Sequence, residues 1–147
     1  MGWTLYLTYA ALTAVASHRS RGALPLSKAV STTFGCALSL SGIGLYQAGM
    51  REFRSFEQAS GVETGNLVTS GPYRYSRNPQ IVGWLLGLSG VTLTYRSFQG
   101  LLLVAAFLLL HRLYFEIEEQ HLERTFGEEY RRYKARTPRF LGLPGAL

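Results

Sequence analysis

The sequence predicts an all-α integral membrane protein with about four transmembrane helices and a cytoplasmic C-terminal helical extension. Three observations carry this. Apolar residues make up 47% of the 147, yet mean hydropathy is only +0.06, so apolar and charged residues are segregated along the chain. Four segments, 2–17, 29–50, 80–94 and 98–115, are nearly free of charge. The acids and bases gather in the connections and beyond residue 111. The length suits one domain, so 1–147 reads as a single membrane unit with a cytoplasmic loop over 51–79 and C-terminal helices over 116–137.

Each element has its own warrant. A spanning helix needs about 20 residues, with a range of about 17–25; the second and fourth segments qualify. The first and third are shorter and need flanking Trp, Tyr or Ser to complete a crossing. No basic stretch precedes the first segment, and Arg19 and Arg21 follow it, so it reads as a span rather than a secretory signal. The second segment carries Gly35, Gly42, Gly44 and Gly49. Gly42-Ile43-Gly44 is no dinucleotide loop, because no strand precedes it and the third glycine is out of place. Small residues for close helix approach explain it, as they do Gly83 and Gly87 in the third segment. That G-x-x-x-G face leaves a homodimer open. Residues 51–64 read as an amphipathic surface helix, with Phe53 and Phe56 toward lipid and Glu52, Arg54 and Glu57 toward water, or else as a solvated loop. The tight Tyr95-Arg96-Ser97 turn makes segments three and four a helical hairpin. The fourth runs on as LYFEIEEQHLERTF, so one long helix leaves the membrane. Thr125 and Glu128 fit a capping box for a second helix after a break near Gly127, in which Glu128 would pair with Arg132. Tyr130 and Tyr133 share a face of that helix, and Thr137-Pro138 ends it.

Charge sets the partners and the orientation. A net charge of +6 points to nucleic acid or an anionic membrane. No nucleic-acid module is visible, so membrane lipids are the expected partner and nucleic acid is not. If all four segments cross, Arg19, Arg21, Lys28 and Arg96 lie on one side. The remaining eleven of the fifteen Lys and Arg, with all nine acids, lie on the other. The positive-inside bias puts that second side and both termini in the cytoplasm, with the cell (inner) membrane as the location. Arg131, Arg132, Lys134, Arg136 and Arg139 would suit anionic headgroups. Cys36 has no partner for an internal disulfide, and the histidines show no metal-ligand spacing, so no metal site is expected.

Two stretches carry chemistry on that cytoplasmic side. The first, GNLVTSGPYRYSRNPQIVG over 65–83, holds Gly71-Pro72 and Asn78-Pro79, which force the backbone out of a helix. Tyr73, Arg74 and Tyr75 follow the first pair, and Arg77 precedes the second. Such chemistry at the mouth of an apolar segment reads as a binding site; an interfacial loop anchored by Tyr and Arg is the plainer alternative. The second stretch is the end of the long helix. Arg112 and Glu116 are four apart on one face, extended by Glu119 and Glu123, with Glu118 rotated away beside Leu122. These four acids repel one another unless cations or a ligand compensate. A solvated acidic face is the alternative.

Three blocks in order, G-P-Y-R-Y-S-R-N-P (71–79), R-x-x-x-E-x-E-E (112–119) and F-G-E-E-Y-R-R-Y-K-x-R-T-P-R-F (126–140), resemble the isoprenylcysteine carboxyl methyltransferase family and its bacterial relatives. That family is itself similar to phospholipid N-methyltransferases. The resemblance implies an integral-membrane methyltransferase that uses S-adenosylmethionine without a Rossmann domain. It places cofactor-binding roles on Gly71, Tyr73, Tyr75, Asn78, Pro79, Glu118 and Glu119, and catalytic roles on Arg112, Glu116 and Arg77. Carboxylates and aromatic faces suit a cationic cofactor. An Arg such as Arg112 or Arg77 suits an anionic acceptor bidentately, whereas an amine or thiol acceptor needs a base, for which Glu116 is nearest. The sequence departs from the family at Asn78, where the family has His, and at Ile81, where it often has Tyr; Asn keeps a donor and an acceptor but does not titrate. The implied acceptor is a lipophilic molecule or lipidated chain, bearing a carboxylate, amine or thiol, that arrives from the bilayer. Two other readings compete. One is an NADPH-dependent membrane reductase related to sterol reductases, against which no phosphate-binding Arg cluster is evident. The other is a non-enzymatic four-span protein, which would place an ionisable residue deep in a span; none lies there.

Overall fold

The computed structural model describes residues 3–53 and 65–145. Among these the chain forms five α-helices, one 3₁₀ turn and no strand. They are α1 (Trp3–Arg19), α2 (Lys28–Met50), the turn (Gly71–Arg74), α3 (Pro79–Tyr95), α4 (Phe98–Phe126) and α5 (Glu128–Arg136). The four apolar segments become α1 to α4. Pro79 opens α3 and is fully buried, as suits a residue whose missing N–H costs a helix nothing at its first position. α4 is a single helix that continues to Phe126, past the apolar segment that ends at Phe115.

α2 and α4 are long and apolar enough to cross a membrane, and only 17% and 22% of their apolar windows are buried. Their outward leucines and phenylalanines, among them Phe34, Leu40, Leu102 and Leu109, are not the interior of a soluble core. α1 and α3 have 17 residues each, which is about 26 Å of helix against a hydrocarbon layer of about 30 Å.

The chain forms two compact units: Met1–Gly44 with Gly83–Leu109, and Leu45–Val82 with Leu110–Leu147. In the first, glycines let helices approach until backbones touch. A Cβ on Gly42 of α2 would lie 2.5 Å from the Gly83 carbonyl oxygen and the Gly87 nitrogen of α3. One on Gly35 would lie 2.6 Å from the Gly90 oxygen. The G-x-x-x-G pair therefore packs within the chain. Gly100 opens a similar approach to Ser17 and Thr92. At one end of this unit the α1–α2 connection is bonded to the α3–α4 turn. Gly22 N–H donates to the Tyr95 carbonyl at 2.9 Å, Leu24 N–H to Arg96 at 2.9 Å, and the Ser20 and Ser97 hydroxyls share a bond of 2.6 Å. Both connections thus lie at one end of the unit.

The second unit holds the chemistry-bearing stretches, and three details there differ from the sequence reading. The expected surface helix over 51–64 lies for the most part outside the described residues. Of its ends, Phe53 is half-buried and meets Tyr73 edge-on at 5.6 Å between ring centroids, and the Glu52 carboxylate accepts the Ser70 hydroxyl rather than facing only water. The capping box does not form. Thr125 is still inside α4, and its hydroxyl donates back to the His121 carbonyl at 2.9 Å, the competing bond open to Thr within a helix. Gly127, at φ +55°, makes the break instead, a conformation that needs no Cβ. Glu128 pairs with Arg131 at 3.6 Å, not with Arg132.

Candidate functional site

The site is built by three pieces of the second unit: the 65–78 loop, the charged part of α4, and α5 with the segment after it. The loop is shaped first. Gly71 has φ +53° and sits against the Glu52 carboxylate where a side chain would stand. Pro72 then starts the 3₁₀ turn, which carries Tyr73 inward. The Tyr133 hydroxyl of α5 donates to the Tyr73 carbonyl at 2.8 Å. The loop's return is paired with residues 138–142 by main-chain bonds: Arg77 N–H to the Pro138 carbonyl at 2.9 Å, and Gly142 N–H to the Tyr75 carbonyl at 3.0 Å. Asn78 Nδ2 adds a bond to the Arg139 carbonyl at 3.1 Å. The end of the chain therefore lies along the loop like a strap.

At the centre is Glu119. It is 6% exposed and binds three cations. Arg77 Nη1 lies 2.8 Å from its Oε1, Arg139 Nε 2.7 Å from the same oxygen, and Lys134 Nζ 3.2 Å from Oε2. Burial pushes this carboxyl up, but the Arg139 hydrogen bond and the Arg77, Lys134 and Arg139 charges outweigh it, so it stays below the usual range. The same contacts hold the Arg139 guanidinium above its ordinary value. Arg139 also stacks over Phe115, its guanidinium carbon 5.8 Å from the ring centroid, and Phe115 meets Phe140 at 5.6 Å.

Glu118 is the opposite case. Among the described residues no hydrogen bond or ion pair reaches it. Burial is the largest influence on its carboxyl and pushes it up, and the neighbouring Glu119 charge works the same way. Tyrosine phenols lie within reach of its charge. Burial raises the Tyr73 phenol first, with the Glu118 charge contributing; Tyr130 is raised in the same way. Tyr114 lies one turn earlier on the same face of α4. A half-buried carboxylate that takes no hydrogen bond or ion pair from the described side chains, within electrostatic reach of tyrosine rings, is a place for a positively charged group. Beside Glu119, Arg77 is mostly buried and reaches the Tyr130 hydroxyl at 3.5 Å, while its buried Nε has no hydrogen-bond partner among the described residues.

The remaining candidates lie apart from this cluster. Tyr75 is exposed. Arg112 and Glu116 are both exposed and form no ion pair with one another, though the Glu116 charge reaches Arg139. The structure therefore brings together Gly71, Tyr73, Arg77, Asn78, Pro79, Glu118 and Glu119, and leaves Tyr75, Arg112 and Glu116 on the outside. Sequence reasoning missed Glu52, Tyr130 and the inward role of Lys134 and Arg139, which it gave to headgroups. The clue was in hand: an acidic cluster demands cations, and Pro138 turns the basic run back toward it.

The phospholipid methyltransferase family model matches residues 30–129, which takes in α2, the loop, α3 and α4. The chain belongs to that family. It is also 34% identical over 103 residues to protein-S-isoprenylcysteine O-methyltransferase of Rattus norvegicus, covering 69% of this chain and 35% of that protein. The Mus musculus protein of the same name is 36% identical over 93 residues, covering 63% and 32%. The chain thus spans about a third of the length of the curated relatives it matches. No solved structure gives a significant match. The family match includes Arg77, Arg112, Glu116, Glu118 and Glu119 and stops before Tyr130, so the strap lies outside it.

Proposed function

We propose that this protein is an integral-membrane methyltransferase that transfers a methyl group from S-adenosylmethionine to a lipophilic acceptor at the cytoplasmic membrane face. The observation that carries the reading is Glu118, a half-buried carboxylate that takes no hydrogen bond or ion pair from the described side chains and lies within electrostatic reach of Tyr73 and Tyr130, in a chain of the phospholipid methyltransferase family. Sulfonium and ammonium groups suit such a place. The buried Arg77 Nε supplies the complementary donor for a carboxylate, so the residues present fit a cofactor carrying both charges. The curated relatives are named for methylating an isoprenylated cysteine, which supports a lipid-bearing acceptor.

When bound, S-adenosylmethionine supplies an electrophilic methyl on a positively charged sulfur. The chain's part is alignment and charge. Glu118, Tyr73 and Tyr130 would hold the cationic part, and Arg77 would fix the carboxylate end. Holding donor and acceptor in line is worth roughly 7–11 kcal/mol of the barrier. Arg112 and Glu116, exposed on α4 one and two turns before the cluster, are left to meet an acceptor arriving from outside. Arg112 would hold a carboxylate acceptor, which needs no proton removed. An amine or thiol acceptor would give its proton to Glu116. All four long helices cross the bilayer in this reading, with interfacial Tyr and Ser completing the short α1 and α3.

Calorimetry on detergent-purified protein tests the reading. S-adenosylmethionine and S-adenosylhomocysteine are titrated into wild type, with NADPH as the control. Binding of the first two and not the third is expected. NADPH binding alone would replace this reading with the reductase.

A further inference from the structure

The two adjacent glutamates, to which the family resemblance gives the same cofactor-binding role, have different surroundings. Oε1 of Glu119 takes both Arg77 and Arg139, and Oε2 takes Lys134. Both oxygens of this buried carboxylate are thus already taken by cations, with Lys134 shared with Glu123 at 3.9 Å, and a further cation would have to displace one of them. Those cations come from two different pieces of chain, the loop and the C-terminal segment. The same two pieces are paired by main-chain bonds at Arg77–Pro138 and Tyr75–Gly142.

We propose that Glu119 is a positioning residue rather than a cofactor ligand: with Arg139 it clamps the C-terminal strap against the loop and fixes the Arg77 guanidinium, leaving Glu118 alone to face the cofactor. The proposal rests on the methyltransferase reading, since it divides labour within that site. Three features argue for a clamp. Arg139 is held on three sides: by Glu119, by the Phe115 ring, and through its carbonyl by Asn78. Phe140, next in the chain, is anchored on Phe115. Arg77 reaches Glu119 and Tyr130 through one nitrogen, Nη1, which orients the group while its Nε remains without a partner. Removing Glu119 would free the strap and loosen Arg77 together.

The test measures S-adenosylmethionine affinity by calorimetry, well below each variant's melting point, and the melting point of the unliganded full chain. The variants are Glu118→Gln, Glu119→Gln, Arg139→Gln, Arg139→Lys and the Glu119→Gln/Arg139→Gln double. Glu118→Gln is expected to weaken binding at least tenfold without lowering the unliganded melting point. Glu119→Gln and Arg139→Gln are expected to lower the melting point and weaken binding by similar, smaller factors. The double should be no worse than the poorer single, because both remove one clamp. Arg139→Lys, which keeps the charge, should restore most of the affinity. A merely structural clamp would change melting points and leave affinity alone, which would overturn the positioning role. So would abolished binding in Glu119→Gln beside normal binding in Arg139→Gln, since Glu119 would then be a ligand. Tighter binding in Arg139→Gln would also overturn it, by making the strap a competitor for the site. Absence of S-adenosylmethionine binding in wild type would instead remove the methyltransferase reading itself. The clamp would then be judged on melting points alone, where additive single effects would refute it.

Discussion

Two neighbouring carboxyls on α4 titrate in opposite directions, and the sign of each gives a measurement. Glu119 lies below its ordinary value because of its cations, so its ionisation contributes stability that is present above the unfolded value and lost as pH falls through the lower folded one. Glu118 lies above its ordinary value because of burial, so ionising it costs stability as pH rises from the unfolded value through the raised one. Glu118→Gln should therefore raise the melting point at neutral pH and leave it unchanged in acid. Glu119→Gln should lower it at neutral pH and lose part of wild type's fall on acidification. Breaking a buried pair costs about 3–5 kcal/mol. Lys134 and Arg139 are partly exposed, which places this one near the lower end, about 3 kcal/mol, or roughly 6–12 °C in melting point. Thermal melts across pH in detergent decide it; parallel curves for the two variants would refute the contrast. Tyr133 gives a smaller test. Its hydroxyl is the buried donor to the Tyr73 carbonyl, so Tyr133→Phe should cost about 1 kcal/mol and loosen the 3₁₀ turn, read as faster amide exchange over 71–75.

At the level of elements, α2 and α3 are held by contact between backbones rather than by large side chains, and two glycines of α2 separate that from mere helix propensity. A Cβ on Gly42 would strike the α3 backbone, whereas one on Gly44 would meet nothing within 4 Å. Gly42→Ala should destabilise by about 1–3 kcal/mol through forced separation. Gly44→Ala should be neutral or stabilising by up to about 1 kcal/mol. Unfolding in detergent compares them, and equal effects would mean that the close approach contributes nothing. The helices themselves were legible in the sequence because an apolar run ended by Gly, Pro or clustered charge has one reading. The 65–78 loop stood out for the same reason: Gly-Pro and Asn-Pro break the apolar pattern around Tyr-Arg-Tyr and Arg. What periodicity could not give was the pairing of charges. Glu118 and Glu119 differ by one step around α4, and Arg77 of the loop, Lys134 of α5 and Arg139 of the strap decide which of them receives cations. Nor could it show that Thr125 would bond within α4 and leave the break to Gly127.

For the whole molecule the open quantity is which ends face which side of the bilayer. α4 has 29 residues, about 44 Å of helix, and the hydrocarbon layer is about 30 Å, so roughly 14 Å of it must project. The projecting part is the C-terminal one, since Glu116, Glu118 and Glu119 cannot sit in lipid uncompensated. Within the first unit, the α1–α2 connection and the α3–α4 turn are bonded to each other, so Arg19, Arg21, Lys28 and Arg96 share a side. A four-crossing arrangement therefore sets those four bases against the larger number on α5 and the loop. On that asymmetry the prediction is a cytoplasmic α5. The prediction is made on a Cys36→Ala background, with single cysteines at two exposed positions, Arg21→Cys in the α1–α2 connection and Arg132→Cys on α5. A membrane-impermeant maleimide added to intact cells should label Arg21→Cys and spare Arg132→Cys until the membrane is opened. Labelling of both from the same side would mean that α1 and α3 do not cross. The reversed pattern would keep four crossings but turn the site outward, away from any cytoplasmic supply of S-adenosylmethionine, and the proposed activity would fall with it.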